Sequence, residues 1–273
     1  MKKTGLKLAL LMLICVATGL VQSCEKEEDW QKVRHIDRIE IMNNNQVTSY
    51  YVFSYDGDKM SLIEEYMNYK LRSSVEFQYK DSKMASWNYY FYYNDSLFAK
   101  ITTMFEYKDN NIIRAISKKI DEKGGNNDTV EYKYSDNKLK EIHRNWQGGI
   151  GTFDFEKLVW DGNNISRVLF PNHSRNNDYT IYLDYDNNKN PIRFPMGFVQ
   201  PDYYPFFGDQ NYPFLSENNI TRINWVDTLY SEFFVGYEPG YHEYIYTYDE
   251  EGYPLTRTEK KYNRKWVYHY STE

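Results

Sequence analysis

A hairpin-shaped pattern recurs along most of this chain and restricts it to β-structure. Each copy runs through an apolar residue, any residue, an aromatic residue, a turn of Asp, Asn or Gly, and two apolar residues three positions apart. Early copies lie about 24 to 28 residues apart, a spacing typical of repeat architectures. The clear copies are FSYDGDKMSLI (53–63), FQYKDSKMASW (77–87), FEYKDNNIIRAI (105–116), YKYSDNKLKEI (132–142) and LVWDGNNISRV (158–168); looser ones are LDYDNNKNPIRF (183–194), FLSENNITRI (214–223) and YTYDEEGYPLTR (246–257).

The residues before each turn alternate as in a half-buried antiparallel strand. Val75, Phe77 and Tyr79 are predicted to point one way, and Glu76 and Gln78 the other. The turn residues fit as well, because Asp accepts hydrogen bonds from turn amides and Asn or Gly tolerates the left-handed conformation of tight hairpins. The pattern therefore predicts β-hairpins.

The apolar residues after each turn predict a β-bulge. Partners three positions apart would lie on opposite faces of a regular strand. A bulge just past the turn re-aims the outgoing strand and resolves this conflict. The pairs are Met60/Ile63, Met84/Trp87, Leu139/Ile142, Ile165/Val168 and Ile220/Ile223.

The number of copies predicts a wide sheet. Each copy has room for one hairpin with strands of about ten residues, so eight copies predict an all-β fold, an antiparallel meander of about sixteen strands. The 29 tyrosines and the scarcity of alanine agree with strands. Twist accumulates across such a sheet, so we expect a strongly curled open sheet or a barrel-like closure.

The start of the chain resembles the leader of a bacterial lipoprotein. Three lysines precede an apolar core of signal-peptide length, and Ser23 stands directly before Cys24. We predict a signal peptide over 1–23, lipidation of Cys24 and an acidic tether over 24–34. The alternative is an ordinary secretory signal that happens to contain a cysteine. With only two cysteines in the chain and one in the leader, no disulfide is expected within the mature monomer.

The residues after Cys24 also bear on location. The run EKEED is similar to the signal that sends lipoproteins of some Gram-negative gut anaerobes to the outer face of the outer membrane. We therefore expect an outer-membrane lipoprotein exposed on the cell surface, with a periplasm-facing orientation as the alternative. The lipid anchor makes the outer membrane its first expected partner.

The leader and the hairpins together resemble a known family. Units of the form Y-x-Y-D-x-x-G/N are similar to the YD-repeats of bacterial shell and toxin-delivery proteins. With the signal and Cys24, the chain resembles more specifically a family of lipoproteins of unknown function from gut bacteria, whose domain is described as having a porin-like fold. The likeness covers nearly all of 35–273. The resemblance implies one β-hairpin-repeat domain there and brings no activity with it.

A membrane-spanning barrel is the alternative architecture, since strand length and number permit one. The strands carry Glu, Lys, Arg and Asn on one face, and tyrosine along the whole of the other face rather than only at the interfaces. A spanning barrel also needs no acyl anchor. The sequence therefore favours a lipid-tethered barrel over a spanning one.

The sequence contains no recognisable catalytic or metal-binding constellation. The five histidines have no pair at metal-ligand spacing, and there is no nucleophile elbow, phosphate-binding loop or dinucleotide fingerprint. The Asp/Asn clusters at 109–111, 161–164 and 186–190 offer oxygen ligands for calcium, but hairpin turns explain them. We predict no metal and no cofactor, and the net charge of −6 disfavours nucleic acid. Two carboxylates from distant strands could still form the acid pair of a glycoside hydrolase, so that activity stays an alternative.

The segment PMGFVQPDYYPFFGDQNYPF (195–214) interrupts the pattern. Its four prolines forbid a central strand, and its aromatic content exceeds what a loop needs. The rings either plug one end of the sheet or form a binding platform for sugars or proteins. A second aromatic stretch, 232–244, could join the same end. The candidate ligand-binding residues are Phe198, Tyr203, Tyr204, Phe206, Phe207, Tyr212 and Phe214.

These features lead to three functional hypotheses. The first is a surface-anchored, non-catalytic lipoprotein that binds a ligand, with a polysaccharide ahead of a protein partner. The second is a structural or accessory component of an outer-membrane complex, and the third is a hydrolase. An open aromatic strip favours binding, a filled interior with a buried loop favours a structural role, and a pocket with paired acids favours an enzyme.

Overall fold

The computed structural model describes residues 34–120, 127–145, 155–172, 177–192, 215–227 and 240–271. The chain divides into two compact units, Met1–Arg34 and His35–Glu273. Within the described ranges, no helix has the length and apolarity that a membrane crossing requires. The strands are β1 (Ile36–Asn43), β2 (Gln46–Asp56), β3 (Lys59–Met67), β4 (Lys70–Lys80), β5 (Lys83–Tyr93), β6 (Ser96–Lys108), β7 (Asn111–Ile120), β8 (Asn127–Ser135), β9 (Lys138–Asn145), β10 (Phe155–Asp161), β11 (Asn164–Asn172), β12 (Asn177–Lys189), β13 (Asn218–Asp227), β14 (Tyr241–Tyr248), β15 (Pro254–Glu259) and β16 (Arg264–Tyr270).

The strands form a meander that closes into an antiparallel barrel of sixteen strands. Strands adjacent in sequence are paired, and β1 pairs with β16 from Ile36 opposite Tyr270 to Met42 opposite Lys265. The amide of Ser271 extends this seam by donating to the carbonyl oxygen of His35 at 2.9 Å. The predicted all-β meander of about sixteen strands is confirmed, and the sheet closes into a barrel.

The connections alternate between the two ends of the barrel. The turns of the recurring pattern, which follow the even-numbered strands, lie at what we call the Asp-turn end. The turns after β1, β3, β5 and β15 lie at the opposite end, the rim end. Paired left-handed φ angles, such as 50° at Asp81 and 65° at Ser82, match type I′ hairpin turns.

A β-bulge follows the turn in the hairpins of the Asp-turn end, as predicted. Met60 pairs with Tyr55 and Leu62 pairs with Ser54, so Ser61 is the extra residue. The same register shift occurs in the β4–β5, β6–β7, β8–β9, β10–β11, β12–β13 and β14–β15 pairs. Further bulges near the rim end, in β1–β2, β3–β4 and β5–β6, were not predicted.

Most side chains that point into the barrel are apolar, and most charged side chains point out. Val75 and Phe77 are buried while Glu76 and Gln78 are exposed, which confirms the predicted alternation. The inward side chains form a buried core that includes Ile39, Ile63, Leu139, Ile142, Ile165 and Val168. Exposed charges occur on strands around the barrel: Glu76, Glu106, Lys118, Glu131, Lys133, Lys157, Arg167, Asp184 and Arg222.

In most hairpins of the Asp-turn end, the recurring aromatic residue before the turn bonds to the preceding hairpin. The Tyr79 hydroxyl donates to the carbonyl oxygen of Met60 at 2.9 Å, at the bulge where the regular ladder is interrupted. A buried carbonyl there would otherwise lose a partner. We call these bonds aromatic clips; Tyr107, Trp160 and Tyr185 bond in the same way to Met84, Leu139 and Ile165. Similar bonds join Tyr55 to Ile36, Tyr246, two places before the last aromatic of β14, to Ile220, and Tyr270, at the end of β16, to Pro254.

Candidate functional site

The predicted site residues lie outside the described ranges. This applies to the lipidation site Cys24 and to the candidate ligand-binding aromatics of the insertion, so both assignments stay predictions. The residues in question are Cys24, Phe198, Tyr203, Tyr204, Phe206, Phe207, Tyr212 and Phe214.

The two flanks of the insertion are bonded to each other at the Asp-turn end. The amide of Asn190 donates to the carbonyl oxygen of Glu217 at 2.8 Å, and the Asn218 side chain donates to the carbonyl oxygen of Asn188 at 2.9 Å. Asp186 accepts from the amide of Asn219 at 3.2 Å. The 186–190 cluster, considered above as a source of calcium ligands, therefore orders the base of the insertion.

No metal site emerges from the described part of the chain. Among those residues, no group of three or more His, Cys, Asp or Glu side chains is placed to hold a metal ion.

The described part of the second aromatic stretch lies at the other end of the barrel. Of 232–244, the structure describes 240–244, and β14 starts with Tyr241 at the rim end, opposite Asn224. The insertion enters β13 at Asn218, at the Asp-turn end. Most of both stretches lies outside the described ranges, so the expectation that they join one end stays a prediction; their described flanks lie at opposite ends, because successive connections of a meander alternate ends.

Exposed aromatic side chains gather at the rim end. Tyr69, in the β3–β4 turn, is 72% exposed, and Phe98, the extra residue of the β5–β6 bulge, is 68% exposed. Tyr69 also adopts a left-handed φ of 63°, which is unfavourable for a bulky residue. We call the group the aromatic rim; its members are Tyr69, Tyr93, Phe98, Tyr241 and Tyr262.

Contacts between hairpins hold part of the aromatic rim in place. Lys70 forms a 2.9 Å ion pair with Asp95, which ties the tips of the β3–β4 and β5–β6 hairpins together. The ring of Phe98 meets that of Tyr93 edge-on at 6.5 Å, and the ring of Tyr69 lies 6.1 Å from that of Tyr50. The rim is a set of supported rings rather than isolated side chains.

A second group of functional interest lies inside the barrel, on β14–β16. The Arg257 guanidinium carbon lies 3.8 Å from the centre of the Trp266 ring and 4.9 Å from that of Tyr244. Tyr246 is hydrogen-bonded to Arg257, and burial raises the pKa of the Tyr246 hydroxyl well above its usual value. Tyr268 lies close enough to affect Arg257 electrostatically. We call these five residues the arginine cluster.

A histidine–carboxylate pair adjoins the arginine cluster on the side of the rim. Glu259 is buried on the inner face of β15, and its carboxylate contacts the imidazole Nδ1 of His242 on β14. The ring of Trp225 packs edge-on against His242 at 4.8 Å. Cation, carboxylate, imidazole and aromatic faces thus occupy neighbouring positions on one inner wall.

Further polar groups occur in the described interior, and two of them involve carboxylates. Arg144 forms a buried ion pair with Glu156. Glu65 accepts a 2.7 Å hydrogen bond from Ser73, and burial raises the pKa of its carboxyl group. The Tyr51 hydroxyl is affected by the charges of both Glu65 and Arg257. Interior polar groups therefore lie near one another on both sides of the β1–β16 seam.

Sequence reasoning missed the arginine cluster, although a signal was available. In YTYDEEGYPLTR, Arg257 follows Pro254 by three positions, the spacing that places apolar residues in the core of the other hairpins. Alignment of this copy with the others predicts that the charged side chain of Arg257 points into the barrel.

The barrel resembles a solved structure at the level of the fold. A porin-like protein from Bacteroides uniformis ATCC 8492 matches with a TM-score of 0.53 and 16% identity, over 86% of this chain and 96% of that chain. A porin-like protein from Bacteroides vulgatus ATCC 8482 matches with a TM-score of 0.44 and 14% identity, over 88% and 100% of the two chains. No family model and no curated protein matches the sequence.

Proposed function

We propose that this protein is a non-catalytic, lipid-anchored protein of the outer membrane that binds a polysaccharide at the aromatic rim. The observation that carries the proposal is the gathering of exposed aromatic rings at one end of a barrel whose outer wall carries many exposed charges. Exposed aromatic groups concentrated in one place mark interaction sites, and their faces suit the apolar faces of sugars.

The barrel itself is proposed to stay in water and not to act as a pore. Outward charges such as Glu106, Lys133 and Arg167 are exposed on strands around the wall. On the lipid-facing side of a membrane barrel, each Lys or Arg costs about 2–4 kcal/mol at the midplane. The interior is also largely apolar and buried, unlike the water-filled, polar lumen of a channel.

This part of the proposal is tested by conductance across planar lipid bilayers. Addition of the purified mature protein is expected to leave the bilayer without channel steps, whereas a porin added in parallel gives them. Reproducible channel steps that depend on the protein would overturn it.

The lipid anchor is proposed to be attached at Cys24. The leader and the acidic tether support this location, and a barrel with a water-facing wall needs such an anchor to remain at the membrane. Replacing Cys24 with Ala is expected to abolish acylation detected by mass spectrometry. Protease treatment of intact cells then distinguishes the cell surface, where the protein is cleaved, from the periplasm, where it is protected.

Polysaccharide binding is tested by affinity electrophoresis of the mature protein through gels containing plant and host polysaccharides. The informative variant combines Tyr69→Asn with Phe98→Ala, because Asn tolerates the left-handed turn that Tyr69 occupies. Tyr182→Ala removes an exposed ring from the outer wall and serves as the matched control. Retardation by one polysaccharide is expected, weakened in the rim variant and unchanged in the control.

A further variant tests the platform predicted in the insertion. Changing Tyr203, Tyr204, Phe206 and Phe207 to Ala alters only that segment. If retardation disappears there and survives in the rim variant, the ligand binds at the insertion and the rim assignment is wrong. If no polysaccharide retards the protein, the glycan proposal fails, and a protein partner becomes the next hypothesis to test.

A further inference from the structure

Arg257 occupies a position that is apolar in the other hairpins of the barrel. It pairs with Tyr246, the residue two places before the last aromatic of its strand. The residues at the same place in the other Asp-turn hairpins are buried and apolar: Ile63, Trp87, Ala115, Ile142, Val168 and Ile223. A charge in a core position is costly, and such local exceptions are typical of functional sites.

The charge of Arg257 lacks a direct counterion. In the part of the chain that the structure describes, no carboxylate forms an ion pair with it, whereas the interior Arg144 is paired with Glu156. The nearby carboxylates are engaged elsewhere, Glu259 with His242 and Glu65 with Ser73. The cluster therefore carries a positive charge inside the barrel that no carboxylate of the described residues contacts directly.

Two buried donors in the cluster also lack acceptors. Neither the Nε of Arg257 nor the indole Nε1 of Trp266 has a hydrogen-bond partner among the described residues, and both atoms are buried. Trp266 is only 4% exposed, and Arg257 stacks on its ring. Buried donors are rarely left unpaired. Two adjacent donors, one of them on the guanidinium cation itself, suit a ligand that has several acceptor oxygens and a negative charge.

We infer that the arginine cluster binds the carboxylate of an acidic saccharide, which rests on the proposed polysaccharide function and specifies its chemistry. The Arg257 guanidinium and the Trp266 N–H bind the carboxylate oxygens. The Tyr244 ring faces the sugar, and the His242–Glu259 pair supplies groups for its hydroxyls. Arg257 and Trp266 lie near the ends of β15 and β16 that meet at the rim, so a saccharide on the aromatic rim is adjacent to the cluster.

The inference is tested by isothermal titration calorimetry of the mature protein with three probes. The probes are a trigalacturonate, the uncharged galactose trimer of the same linkage, and inorganic phosphate. Arg257→Met removes the charge and restores the apolar character of the equivalent positions, and Trp266→Phe removes only the N–H donor and part of the ring. Arg167→Met, which changes an exposed arginine on β11, is the matched control.

We expect trigalacturonate to bind at least tenfold more tightly than the uncharged trimer. Arg257→Met and Trp266→Phe each lose most of that preference, and Arg167→Met keeps it. A functional Arg257 also predicts that Arg257→Met melts no lower than the wild type, whereas a purely structural arginine predicts a lower melting temperature. Should Arg257→Met fail to fold, Trp266→Phe still decides the outcome.

The failures of the two proposals are distinguishable. Equal binding of the charged and uncharged trimers overturns the carboxylate site and leaves the polysaccharide function standing. Binding of phosphate alone, lost in Arg257→Met, supports an anion site and overturns the saccharide as its ligand. Absence of binding by all three probes overturns the inference.

Discussion

One hydroxyl group explains why tyrosine, rather than phenylalanine, so often stands before an Asp turn. The ring packs into the core, and the hydroxyl reaches the carbonyl at the bulge of the preceding hairpin, as in the bond from Tyr79 to Met60. The sequence could predict that these rings point inward, because alternation is a local property. It could not predict the acceptor, which lies 19 residues away and is placed by strand pairing.

The aromatic clips predict a measurable difference between two tyrosines. Tyr79→Phe is expected to lower the free energy of unfolding by about 1 kcal/mol, because it leaves the Met60 carbonyl without its donor. Tyr134→Phe is the control, since the Tyr134 hydroxyl is buried and finds no partner within the described ranges. Its removal should leave stability unchanged or slightly higher in urea unfolding. Equal losses for both variants would contradict the role of the clips.

The same hydroxyls make stability sensitive to alkali. Burial raises the pKa of Tyr55 to about 12 and also raises the pKa of Tyr79, Tyr107 and Tyr185. Unfolded tyrosine titrates near pH 10. Because the folded state holds these protons more tightly, their stabilising contribution is complete below about pH 10 and is lost as the pH rises towards about 12.

Parallel titrations test this pH dependence. Circular dichroism should report cooperative unfolding in that pH window, together with the late tyrosinate absorbance of the clip residues. An intact circular dichroism spectrum after all tyrosines have ionised near pH 10 would show that the clips are not protected.

The hairpin is the element that the sequence specifies best. Its strands, turn and Asp-turn bulge follow from residues within one copy of the pattern, and all three were predicted. The rim-end bulges were not predicted, because a turn such as Asn68–Tyr69 is not followed by two apolar residues three positions apart. Likewise, Arg257 could be recognised as an inward residue only by comparing its hairpin with the others.

Turn geometry predicts a stabilising substitution. Ser82 has a φ of 65° at the second position of the β4–β5 turn, where glycine carries no steric penalty. Ser82→Gly is expected to raise the free energy of unfolding by about 0.5 to 1 kcal/mol. Ser96→Gly, at an exposed strand position without a positive φ, should lower it. Thermal melting of both variants tests the sign, and a loss in Ser82→Gly would show that the turn is not the source of strain.

At the scale of the whole molecule, the sequence could predict a wide curled sheet but not its closure. Closure requires that the register of β1 match that of β16 after the bulges of all intervening hairpins have been added. No local pattern encodes that sum. The surroundings of the arginine cluster also depend on closure, since the seam brings Tyr51 on β2 near Arg257 on β15.

The seam predicts that the barrel unit tolerates a change of chain order. His35 and Ser271 are hydrogen-bonded, so a short linker can join the two ends of the barrel. A circular permutant with new ends between Asn94 and Asp95, at an exposed hairpin tip, should fold with nearly wild-type melting. Opening between Val75 and Glu76, in the middle of β4, should prevent folding. A tip permutant without β-structure in circular dichroism would contradict the seam.

The seam also means that the edge of β1 stays unpaired until the last strand is in place. It joins groups 236 residues apart, so β1 is synthesised first and has no partner on its outer edge until β16 arrives. An unpaired edge strand is a template for pairing with other chains. A copy that has not yet placed β16 therefore exposes an open strand edge to other chains. Lesions in β16 should accordingly yield aggregates and proteolysis rather than a loosened barrel.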